Sequence, residues 1–63
     1  MTLVVKKMLA NTLKELMNER PLTKITVQDL TKKCGISRQT FYNHFHGIYE
    51  LVEWIYLNEA HIT

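Results

Sequence analysis

A chain of 63 residues has room for one modest core, burying about 60% of the surface it exposes unfolded, with an expected stability margin of roughly 3–5 kcal/mol. The single cysteine excludes an internal disulfide framework. No apolar run approaches the ~18 residues of a membrane span, and no signal-peptide pattern opens the chain, so a soluble cytoplasmic protein is expected. The net charge of +2 is modest but uneven: residues 1–46 hold all eight Lys and Arg against Glu15, Glu19 and Asp29, whereas residues 47–63 hold Glu50, Glu53 and Glu59 and no base. The basic part is where a nucleic acid would dock.

Val5, Met8 or Leu9, Leu13, Leu16 and Met17 recur at three- and four-residue spacing, which predicts an amphipathic helix over 3–19, with Thr2 placed to cap it. Lys6 and Lys7 fall in its first turns, where cations gain nothing from the helix dipole. They are read either as phosphate contacts or as two solvated lysines. Pro21 prevents the helix from continuing past Arg20.

The alternation in Thr23–Gln28 is too short for a strand and has no partner strand in the chain. Thr26 with Asp29 three residues on reads instead as a capping box, and Ile25 with Leu30 as a hydrophobic staple. A helix over 27–34 follows, with Val27, Leu30 and Cys34 on one face and Gln28, Lys32 and Lys33 outward. Cys34 reads as a small packed residue, since no base stands beside it in sequence. Gly35 suits the left-handed stop of that helix, and Ile36 should plug into the core.

Ser37 is the N-cap of the next helix, expected over 38–45, with Thr40 rather than an acid three residues on. Helix, glycine turn, helix is the helix-turn-helix pattern, whose second helix usually enters a DNA major groove. Phe41 and Phe45, one turn apart, should face inward. The opposite face then presents Arg38 with Tyr42, and Gln39 with Asn43. Arginine can bond bidentately to guanine and Gln or Asn to adenine, and Thr40 offers a hydroxyl or a methyl, so these four are the candidate base readers. Tyr42 and His44 suit phosphate oxygens. An ordinary solvated face would be rich in Lys and Glu, and this one has neither.

The last helix should run from about 48 at least to Ala60. Ile48, Leu51, Val52 and Ile55 share a face expected to pack on Phe41 and Phe45. Trp54, Leu57 and His61 fall on nearly the opposite side, which predicts a helix buried on two sides. The fold expected is all-α: three short helices as a helix-turn-helix bundle, plus the start of a longer fourth.

With these residues in place, the segments ITVQDL, CGISRQTFYNHF and YEL between Ile25 and Leu51 resemble the N-terminal, homeodomain-like DNA-binding domain of TetR/AcrR-type bacterial transcriptional regulators. The run FYNHFHGIYELVEWIY resembles more particularly a branch associated with dihydroxyacetone kinase operons. The resemblance covers nearly the whole chain. It implies phosphate roles for Thr26, Tyr42 and His44, and phosphate or base contacts from Ser37, Arg38, Gln39, Thr40 and Asn43. It also implies a double-stranded, palindromic operator as partner and a homodimer in the intact regulator. A larger domain, not contained in these 63 residues, would hold the effector. On that reading the chain is a truncated piece, or a remnant whose Trp54 face meets another chain. Three departures stand out: Cys34 replaces the family's alanine, Phe41 its leucine, and Ile48 a lysine that contacts phosphate. At the last position, helix N-terminal N–H groups are left to serve.

No metal site is expected, because His44 and His46 point about 200° apart on a helix and His61 and Cys34 add no ligand-spaced partner. No cofactor is expected either. Nor does any nucleophile–base–orienter set suggest an enzyme. The competing function is a protein-interaction module using the Trp54/Leu57 face.

Overall fold

Leu9, Leu13 and Leu16 lie along one stripe and are all buried, together with Ala10 beside them. This stripe organises the computed structural model, which describes residues 2–59. Four α-helices follow one another: α1 (Thr2–Glu19), α2 (Val27–Cys34), α3 (Arg38–Tyr42) and α4 (Ile48–Glu59). The described residues are all-α, as expected. α2 packs on α1, α3 on α2, and α4 returns to α1. The body is thin, 17 Å along its shortest axis. Met8 and Met17 lie at the edges of the α1 stripe and remain exposed. Thr2 is already within α1 and does not precede it as a cap.

After Pro21 the chain makes a single 3-10 turn, Leu22–Lys24, closed by Lys24 N–H donating to Pro21 O at 2.9 Å and Ile25 N–H to Leu22 O at 3.1 Å. One such turn leaves no periodicity for a sequence to reveal. Ile25 and Leu30 are then both buried in the same core cluster. The capping box is complete. Thr26 Oγ1 accepts the Asp29 N–H at 3.1 Å, and Asp29 Oδ2 accepts the Thr26 N–H at 3.1 Å. The same Asp29 oxygen accepts from Arg20 Nη1 at 3.2 Å, and Lys33 Nζ lies 3.9 Å from Glu19 Oε2, so two partly exposed ion pairs join the end of α1 to α2.

Gly35 ends α2 in the left-handed region, φ 84° and ψ 25°, and its N–H donates to Thr31 O at 2.8 Å. Ile36 and Cys34 are half-buried against the core. Thr31, unremarkable in the sequence, is buried too. Its hydroxyl donates to Gln28 O at 3.3 Å, so no polar atom is left stranded.

α4 departs from expectation in one respect. Ile48 and Leu51 are buried, and Val52 and Ile55 pack beside them. Trp54, however, does not point away from this face. It is half-buried, its ring edge-on to Phe45 with centroids 6.3 Å apart. Three residues beyond Leu51 is just short of a full turn, only about 60° away at 3.6 residues per turn, so Trp54 borders the buried face. Tyr49, Tyr56 and Leu57 are the large hydrophobic side chains of α4 left widely exposed among the described residues. His61 and Ala60 lie outside the described residues.

Candidate nucleic-acid interface

α3 is five residues, about 7.5 Å of axis, so its orientation depends on what anchors it. Two phenylalanines do. Phe41 is fully buried, and Phe45 nearly so, with ring centroids 5.9 Å apart. Phe41 comes one residue before Tyr42, whose ring meets it edge-on at 5.2 Å and remains half exposed. With Phe41 beneath, Arg38, Gln39, Tyr42 and Asn43 are all exposed.

Ser37 starts the helix by accepting the Thr40 N–H at 3.1 Å. The Thr40 hydroxyl lies 3.0 Å from Ser37 Oγ and its side chain is half-buried, so of the four candidate base readers it is the one already engaged with the cap. The helix ends at Tyr42, short of the expected 45. Asn43 N–H is shared between Gln39 O and Thr40 O, and His44 N–H turns to Phe41 O at 2.9 Å, so the last turn tightens to three-residue bonds. Asn43 nevertheless keeps helical angles, φ −70° and ψ −20°, and its side chain stays beside Gln39: Gln39 Nε2 donates to Asn43 Oδ1 at 3.3 Å.

The candidate phosphate-binding residues are spread over three helices and the turn after α3. Ser37 is exposed at the start of α3, Thr26 at the start of α2, and Lys7 on α1. His44 and Lys6 are half-buried and line a shallow groove together with Phe45, Trp54, Glu50 and Glu53. Lys6 Nζ stands 5.6 Å from the centroid of the Phe45 ring, a cation–π contact that gives its charge a partner within the protein.

The start of α4 carries an arrangement the sequence reading missed. Ile48 is buried and supplies no surface contact. Glu50 instead reaches back, its Oε1 accepting the His46 N–H at 3.1 Å while Oε2 lies 2.9 Å from His46 Nδ1. The His46 side-chain bond, then the His46 backbone bond, hold the Glu50 carboxyl below its ordinary range, with a smaller contribution from Lys6. Glu50 thus places a carboxylate beside the start of α4, its backbone bond being to His46, which precedes the helix. His46 lies four residues back and one before Gly47, so this is not the N-cap bond that an acid three residues after Gly47 would make in a capping box.

The chain compares with known proteins as this geometry leads one to expect. It is 36% identical over 58 residues to the HTH-type dhaKLM operon transcriptional activator DhaS of Lactococcus lactis subsp. lactis (strain IL1403), an alignment covering 92% of this chain and 31% of that protein. The chain thus spans about a third of the length of this relative. No solved structure matches it at a significant level. The family model described as bacterial regulatory proteins, tetR family, matches residues 10–55, from the middle of α1 to well within α4. A capped helix, a left-handed glycine and a short phenylalanine-anchored helix lie inside that match, and the chain belongs to the tetR family of bacterial regulatory proteins.

Proposed function

We propose that these residues form one helix-turn-helix domain that binds double-stranded DNA for a bacterial transcription regulator. α3 enters the major groove of a palindromic operator, and the intact regulator acts as a homodimer in the cytoplasm, on the nucleoid. Arg38, Gln39, Thr40 and Asn43 serve base reading, while Lys6, Lys7, Thr26, Ser37, Tyr42 and His44 contact phosphates. The domain acts by binding and not by catalysis, and an effector would be held by a part of the regulator outside these residues. One observation carries the reading. Phe41, buried beneath α3, turns a guanidinium, two carboxamides and a phenol to solvent together. Those groups match the donor and acceptor pattern of base edges and phosphates. The relative's name gives it control of an operon, the role proposed here in general form.

The interaction-module alternative draws no support from Trp54, which is seated on Phe45. The test is binding to duplex DNA across a salt series. Docking through phosphates predicts a linear log–log loss of affinity, each neutralised phosphate adding about 0.9 to the slope. A flat salt dependence, or no selection of any sequence from random duplexes, overturns the proposal.

A further inference from the structure

The hydrogen bond from Gln39 Nε2 to Asn43 Oδ1 spans one turn at the exposed end of α3. A carboxamide has two N–H donors and a carbonyl oxygen, and its two ends exchange roles when the group flips. With one N–H held by Asn43, Gln39 keeps one N–H and Oε1 for a partner. A flip of Gln39 alone would set its own oxygen against Asn43 Oδ1, so the two carboxamides can turn only together. Asn43 Nδ2 then donates to Gln39 Oε1, and Gln39 still keeps an N–H and an oxygen lone pair for a partner. Asn43 is itself fixed at the backbone, its N–H bonded to Gln39 O at 3.0 Å and Thr40 O at 3.2 Å.

From this geometry we infer that Asn43 is a positioning residue, and that Gln39, oriented by it, is the reader of one adenine in the operator. The donor–acceptor pair left on Gln39 complements adenine, which offers N7 as acceptor and N6–H as donor in the major groove. Guanine offers two acceptors there and would face Oε1 with O6. Asn43 thus contributes to base choice without contacting a base. The inference rests on the DNA-binding reading above.

The test uses the 63-residue chain and a duplex first selected from random DNA, followed by all single-base variants of that duplex. Gln39→Ala is expected to lose preference for A·T at one position by roughly 5- to 150-fold. Asn43→Ala reduces preference at that same position, and the double variant loses no more than Gln39→Ala alone. Asn43→Asp keeps an acceptor for Gln39 Nε2 and cannot flip, so it retains the adenine preference while its added charge lowers affinity for every duplex. Thermal melts of all variants should match the parent, because the helical bonds of Asn43 come from its backbone. The inference is overturned if Asn43→Ala changes preference at a different base pair or changes nothing, or if Asn43→Asp loses the preference as Asn43→Ala does. Should Arg38→Ala shift base preference while these outcomes fail, only this inference falls. A chain with no salt-dependent binding to any duplex would remove the DNA-binding reading and this inference together.

Discussion

Thr26 and Asp29 each satisfy the other's backbone N–H at 3.1 Å, and the carboxylate of Asp29 also receives Arg20. The Thr26 backbone bond, then its hydroxyl, and more weakly Arg20 and Lys32, hold the Asp29 carboxyl below its ordinary range. A carboxyl depressed in the folded state stabilises the fold above its unfolded pKa, and that contribution is lost as pH falls through the folded value. Glu50, depressed by His46, acts with the same sign. Melting temperature should therefore drop on acidification below the ordinary carboxylate range, and Asp29→Asn should lessen the drop. Thermal melts between pH 7 and strong acid, followed by circular dichroism, check this.

Phe41→Ala should unfold the domain. The ring is wholly buried, and truncating a buried phenylalanine costs about 3–5 kcal/mol, comparable with the whole margin of roughly 3–5 kcal/mol expected at this size. Phe41→Leu, nearer in volume, should fold and melt lower. Urea titration of both variants gives the comparison.

Gly35→Ala isolates a backbone effect. A Cβ built at Gly35 meets nothing within 4 Å, yet φ is 84°, so the expected loss of about 1–2 kcal/mol is conformational and not steric crowding by neighbours. Gly35→Asn should lose less, since asparagine tolerates this region. Denaturant midpoints of the two variants, compared at equal slope, measure it.

Arg38→Ala and Tyr42→Phe separate reading from positioning on DNA. Removing the guanidinium should relax preference at one base pair and cost about 1–3 kcal/mol. Removing only the Tyr42 hydroxyl should weaken all duplexes alike and leave the preferred sequence unchanged. Affinities for selected and scrambled duplexes at fixed salt distinguish the two.

Features set by chemistry three or four residues apart were legible in the sequence. The Thr26–Asp29 box, the Gly35 stop and the Ser37 cap all stand where the residues imply. The outward side of α3 was legible as well, because two phenylalanines one turn apart leave few ways to seat a short helix. What escaped depends on contacts between elements or on irregular turns. Lys6 over the Phe45 ring joins α1 to the segment after α3, and no local pattern announces it. Trp54 was assigned to the wrong side because α4 carries apolar residues nearly all round, so periodicity alone could not choose between its faces. The early end of α3 reflects a tightening of the last turn, which has no marker residue. Glu50 escaped because its bonds go to His46 in the irregular turn before α4, four residues back, which no helix-start rule announces.

The edge-to-ring seating of Trp54 on Phe45 has an optical consequence. The chain has one tryptophan, so its indole emission comes from the junction between the segment after α3 and α4 alone. A shift in its wavelength or quantum yield would report movement of that junction without any attached dye.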